Sequence, residues 1–191
     1  MILDSEQPLR VAVFLDGRPG HEKQSLGILR GLENRLPVEH FRVPVQRPSI
    51  FRRILQLLQL FLPLPVTGDL NIQKADLLLG TGSSTHLLML RYKKQYRIPA
   101  VTCMYPEPFL APFFDLCCVP EHDGVAIKAN IVLTVGAPNC SVDAGNHNDL
   151  QGLVLLGGID LESHRWDSEE IMRMVEFIVG ETRGMTWTDS S

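Results

Sequence analysis

Short uninterrupted apolar runs alternate with stretches of helical spacing along most of this chain. Val11 to Leu15 is wholly apolar and reads as a buried strand, whereas Glu22 onward sets Leu26, Leu29 and Leu32 at helical intervals. Val38 to Val43 predicts a second strand, with Pro37 closing the helix before it. Ser49 is placed to cap a helix over Ile50 to Leu62, which Pro63, Pro65 and Gly68 end. Asp76 to Leu79 reads as a strand running into Gly80-Thr81-Gly82-Ser83-Ser84-Thr85, with helical spacing from His86 to Tyr96. Pro99 to Met104, Asp115 to Val119 and Ile131 to Val135 are three more strands, each followed by an irregular loop rich in Pro or Gly.

Buried strands alternating with helices predict an α/β fold, a parallel Rossmann-like sheet with helices on both faces. In such sheets ligands bind beyond the carboxyl ends of the strands. The unusual loops all fall at such ends: 16–21, 80–85, 105–108, 120–124 and 136–139. Residues 1–140 therefore read as one domain and the polar stretch 141–151 as a linker. Gly152 to Gly158, a helix capped by Asp167 or Ser168 and running to about Gly180, and a strand from Met185 to Thr188 read as the start of a second α/β domain, 152–191. Two strands and a helix bury too little to stand alone, so either they extend the first sheet or, the favoured expectation, the chain is the front part of a longer protein.

Composition narrows the partners. The net charge of −4 hides an asymmetry: residues 1–66 carry nine Lys/Arg against six Asp/Glu, and residues 67–191 nine against sixteen. A chain acidic over most of its length is a poor partner for nucleic acid. Cys103, Cys117, Cys118 and Cys140 form no C-x-x-C pair, and the adjacent Cys117 and Cys118 point to opposite faces of a strand. They read as reduced thiols of a cytoplasmic protein, without a metal site. The polar, acidic start at Met1 shows no signal peptide, and no apolar run reaches spanning length.

Candidate chemistry centres on the first loop, Asp16-Gly17-Arg18-Pro19-Gly20-His21. A strand turning through two glycines into a helix gathers free N–H groups and the positive helix end, which suits an anionic or polyhydroxylated ligand. Arg18 and His21 add side-chain chemistry there, and a histidine can take and return a proton near neutrality. Gly82, Ser83 and Ser84 form a second junction of the same kind. Glu121-His122-Asp123 and Asp16 are the only support for a metal-dependent hydrolase, and no His-x-His or H-E-x-x-H spacing joins them. In the helix 50–62 the polar positions Arg52, Arg53, Gln56 and Gln59 recur at three-residue spacing beside a broad apolar face. It reads either as a helix packed on the sheet or as one lying on a membrane surface, apolar face down.

These loops carry a resemblance. DGRPGHEKQSLG (Asp16 to Gly27), TGSSTH (Thr81 to His86), FDLCCVPEHDG (Phe114 to Gly124), IVLTVGAPN (Ile131 to Asn139) and LLGGID…HRW (Leu155 to Trp166) resemble the mitochondrial-fission family founded on the plant "elongated mitochondria" protein. Ser83 and Ser84 stand where many members carry arginines. The resemblance implies the N-terminal, acceptor-side half of an arrangement similar to GT-B glycosyltransferases, with the nucleotide-sugar donor held by a C-terminal half mostly beyond Ser191. It implies sugar transfer to a lipid-linked or envelope acceptor without a cofactor, the nucleotide sugar being a substrate. His21 is then the base, with Asp16, Gly17, Arg18, Gly20, Gly82, Ser83, Ser84, Glu121 and Asp123 at the substrate. Glu121 or Asp123 would orient His21, and Arg18 would meet an acceptor phosphate. A peripheral location on the inner membrane face follows from a lipid-bearing acceptor. The alternative is a non-catalytic adaptor docking on a membrane-associated partner. Bacterial relatives are often labelled nucleoside-diphosphate-sugar epimerases, but the chain has neither the G-x-G-x-x-G turn nor the Tyr-x-x-x-Lys pair of the NAD-dependent kind.

Overall fold

The computed structural model describes residues 7–62, 71–141, 145, 148–155, 167–182 and 184–189. The chain divides into two compact units, Met1–Ser141 and Val142–Ser191. Unit 1 holds strands β1 (Leu9–Leu15), β2 (Val38–Pro44), β3 (Leu77–Gly80), β4 (Ala100–Thr102), β5 (Leu116–Pro120) and β6 (Ile131–Thr134). Its helices are α1 (Pro19–Glu33), α2 (Ile50–Phe61) and α3 (Ser83–Tyr96). The strands form one sheet in the order β2-β1-β3-β4-β5-β6, and every neighbouring pair is parallel. All strand ends named above therefore lie on one rim, with Gly20, Gly82 and Gly136 among them.

The central strands are apolar throughout because both their faces are covered. Val11 and Val13 of β1 and Leu79 of β3 pack with Leu29 of α1 on one face. Ala12 and Phe14, with Leu78, Ala100 and Cys117, pack against α3 on the other, through Leu87, Met89 and Leu90. The two-residue alternation of side chains along β1 thus divides between two cores. Edge strand β2 is buried on neither face in full.

Several boundaries shift from the sequence reading, two of them near the rim. Helix α3 begins at Ser83 rather than His86, because Gly82 takes φ 102° and serves as its N-cap, which draws both serines into the first turn. Strand β4 stops at Thr102, and the chain then bends so that Met104 Sδ accepts a hydrogen bond from Gly82 N at 3.1 Å.

Helix α2 is packed on the body along one side. It is fastened to the body by Leu57 and buried Leu60, and its last carbonyls, at Leu60 and Leu62, accept from Lys94 Nζ at 2.7 and 2.9 Å. A polar chain anchors its other half: Arg53 pairs with Glu107, Glu107 Oε2 lies 3.4 Å from His86 Nδ1, and His86 Nε2 lies 3.2 Å from Thr102 Oγ1. His86 is fully buried and stacks edge-on against Phe114, a core histidine and not a surface base. The broad apolar face of α2 points outward instead: Ile50 is 81% and Phe51 77% exposed. Packing on the sheet accounts for only one narrow side of this helix. The breakers Pro63, Pro65 and Gly68 lie outside the described residues.

Unit 2 contains β7 (Gln151–Val154), α4 (Ser168–Glu181) and β8 (Thr186–Asp189), with β7 and β8 parallel. The Asp167 side chain caps α4, accepting from the N–H groups of Glu169 and Glu170 at 3.1 Å each. The bare backbone of Gly152 lies against the Trp187 ring, whose Nε1 donates to Thr182 Oγ1 at 3.0 Å. No α4 residue is buried. Residues 156–158 of the strand predicted over 152–158, and nearly all of the LLGGID…HRW motif, lie outside the described residues.

The hydrogen bond to His86, with help from Arg53, pulls the Glu107 carboxyl down from 4.5 to about 2, against the opposing effect of burial. A carboxyl whose acidity rises on folding stabilises the fold above its unfolded pKa and loses that effect as pH falls toward its folded one. Glu107→Gln is therefore expected to lower the thermal midpoint at pH 7. The gap from the parent protein, followed by circular dichroism, closes as pH falls from about 4.5 toward 2.

Candidate functional site

The order of the sheet reverses direction between β1 and β3. Chain connections leave the sheet on opposite sides there, the place where such sheets generally bind ligands. Two loops meet at this point, the one between β1 and α1 and the one between β3 and α3.

Asp16 leaves β1 with its side chain almost fully buried, and its Oδ2 stands 2.9 Å from His21 Nδ1 in the first turn of α1. The His21 side chain keeps 24% of its surface exposed. An acidic acceptor at Nδ1 fixes that nitrogen as the N–H and leaves Nε2 with its lone pair. Among the described residues Nε2 has no hydrogen-bond partner. A carboxylate so placed holds the ring in one orientation, a geometry that general bases share.

Gly82 closes the dyad from the α3 side. A methyl group on its backbone would come within 2.6 Å of Asp16 Oδ2 and closer still to His21 Nδ1. Its φ of 102° also lies where side chains are rarely tolerated. Below it, Ser25 Oγ of α1 and Thr81 Oγ1 share a buried hydrogen bond of 2.8 Å that ties the two loops together. Thr85 Oγ1 donates to Gly82 O at 2.8 Å and holds the turn from the other side.

The backbone donors of the first loop are already occupied. Gly17 N donates to Glu22 Oε1 at 3.1 Å, and Arg18 N donates to Asp16 Oδ1 at 3.2 Å. Carboxylates of the chain thus fill the place an external anion would take in a phosphate-binding turn. Of the two ligand types that the sequence allows here, the polyhydroxylated one fits better. The Arg18 side chain is exposed, as are Gly17 and Gly20. Ser83 is exposed and Ser84 half-buried at the start of α3.

Glu121 and Asp123 do not join this centre. With His122 they form one exposed turn after β5, where His122 Nε2 stands 3.5 Å from Asp123 Oδ1. None of the described hydrogen bonds or ion pairs connects them to His21; the group that orients it is Asp16. The pairing was missed in the sequence because position 16 ends a strand and position 21 lies in a helix, so spacing alone does not bring them together. Among the described residues no cluster of three or more His, Cys, Asp or Glu gathers as a metal site. Burial pushes the Cys103 thiol up to about 12 and the Cys117 thiol to about 11, so both stay protonated and unreactive.

Fold and site define a Rossmann-like α/β protein with a histidine–carboxylate dyad at the switch point of its sheet. Residues 19–190 match the mitochondrial fission ELM1 family, and the chain belongs to that family. Among solved structures, the S. aureus MnaA–UDP co-structure aligns with 96% of this chain and 62% of its own, at 14% identity and a TM-score of 0.46. The chain thus spans less than two thirds of that protein's length. No curated protein matches the chain significantly.

Gly82→Ala is expected to destabilise the protein by roughly 2–5 kcal/mol, combining backbone strain at positive φ with overpacking against the dyad. Urea unfolding measures it. Gly20→Ala, whose added methyl meets open space, should stay within about 1 kcal/mol of the parent.

Proposed function

We propose that this chain supplies the acceptor-side half of a GT-B-type glycosyltransferase. It moves a sugar from a nucleotide sugar to a hydroxyl of a lipid-linked or envelope acceptor. The observation that carries this reading is the Asp16–His21 pair at the β1/β3 switch point, its Nε2 free to take a proton. His21 Nε2 accepts the acceptor's hydroxyl proton as that oxygen bonds to the anomeric carbon. The bond from that carbon to the diphosphate breaks, and the electron pair leaves with the nucleoside diphosphate. Asp16 carries the imidazolium through the step, and the sugar inverts its configuration. Gly17, Gly20, Gly82 and Ser83 leave room and hydroxyl contacts for a polar acceptor, and Arg18 offers a bidentate partner for an acceptor phosphate. Glu121 and Asp123, further along the same rim, face acceptor hydroxyls distant from the reacting one. The donor belongs to the C-terminal half, and the reaction uses no cofactor. The protein works in the cytoplasm, peripheral to the inner membrane face where a lipid-linked acceptor resides.

A second reading, a non-catalytic adaptor on a membrane-associated partner, draws on the outward apolar face of α2. One substitution separates the two. His21→Ala should lower sugar transfer by about 100-fold or more while leaving nucleotide-sugar binding in place. An adaptor would keep its cellular phenotype with alanine at that position. Isothermal titration of the full-length protein against UDP-, GDP- and CMP-sugars tests the donor directly, and heat from none of them contradicts sugar transfer.

A further inference from the structure

The face of α2 turned away from the protein has no described partner and a uniform chemistry. At 3.6 residues per turn, Ile50, Phe51, Ile54, Leu58 and Phe61 fall within one arc of about 100°, and each is more than half exposed. The flank next to Ile50 holds Arg53, bound to Glu107, with Leu57 and Leu60 against the core. A surface helix of a soluble domain normally turns its apolar stripe inward; α2 is mounted the other way round. Phe113, 40% exposed, meets Phe61 edge-on at 6.1 Å and widens the patch. An apolar surface of this extent marks an interaction site.

Charge identifies the occupant. From His40 to Leu62 the sequence has four arginines and no aspartate or glutamate. Arg42, Arg47 and Arg52 are exposed, and none has an ion-pair partner among the described residues. Arg52 lies about 100° around the helix from Phe51, so with Arg42 and Arg47 it gives this stretch a net positive charge beside the apolar face. A second copy of the chain, docked face to face, would set these arginines against their own images. At twelve residues α2 is too short to cross a bilayer, and no described helix is long and apolar enough to do so.

We propose that α2 is an in-plane membrane anchor, which buries Ile50, Phe51, Ile54, Leu58 and Phe61 in the headgroup–acyl boundary of an anionic phospholipid bilayer while the positive charge of Arg42, Arg47 and Arg52 draws the helix to lipid phosphates. The inference goes beyond the sugar-transfer reading and stands without it, since it concerns a different face and a readout independent of catalysis.

The test is co-sedimentation of the protein with vesicles of equimolar phosphatidylcholine and phosphatidylglycerol, against vesicles of phosphatidylcholine alone. The protein should bind the anionic vesicles, and raised salt should weaken the binding. Phe51→Ser and Ile54→Ser together should reduce it by about tenfold or more, and Arg52→Glu by a smaller factor. All three positions are exposed, so circular dichroism should show these variants folded. In a Phe51→Trp variant, vesicles should shift the added indole's emission to the blue, and brominated lipid should quench it. Equal partitioning of parent and variants would overturn the inference, as would an emission spectrum of the Phe51→Trp variant that vesicles leave unchanged. A dimer in sedimentation velocity that the double variant dissociates, without vesicle binding by the parent, would assign the face to a second copy instead.

Discussion

The hydrogen bond between buried Asp16 and half-exposed His21 depends on a position that contributes no side chain at all. Gly82 lets the start of α3 come close enough to wall in the dyad, and a single methyl there would occupy the space of both polar atoms. That approach in turn requires β1 and β3 to be neighbours, which places the loops after each strand side by side. Sheet order, glycine and dyad form one dependent series, and the placement of the His21 ring stands at its end.

Internal carboxylates occupy the backbone donors of the first loop. In a phosphate-binding turn the backbone N–H groups wait for an anion. Here Glu22 and Asp16 accept from Gly17 and Arg18, and the buried Asp16 charge adds repulsion toward any anion beside it. The buried chain from Thr102 through His86 and Glu107 to Arg53 serves another purpose, since it fixes α2 to α3 and to the segment after β4.

Much of the fold was legible in the residues. The uninterrupted apolar runs at Val11 to Leu15 and Cys117 to Val119 identified strands covered on both faces, and the loops at their ends located the rim. Helix α2 was legible in its boundaries but not in its orientation, because three-residue spacing of polar positions says which side is polar and not which side the body takes. The α3 boundary was misplaced because serines in a first helical turn look like loop residues until Gly82 is known to adopt positive φ. For the site, His21 was singled out by its place after a glycine turn. Its partner was not, since the intervening residues cross from strand to helix and only the folded turn shows the contact. Glu121 and Asp123 were attractive as carboxylates on the same rim, yet β3 and β4 lie between the strand before their loop and the strand before the dyad's.

Nitrogen-15 NMR of the His21 ring reads the central relationship most directly. With Asp16 accepting from Nδ1, the neutral ring should carry its proton on Nδ1 and show an unprotonated Nε2, and Asp16→Asn should abolish that preference. A ring found with its proton on Nε2, or one whose tautomer ignores the Asp16→Asn substitution, would contradict the assignment of His21 as a carboxylate-oriented base.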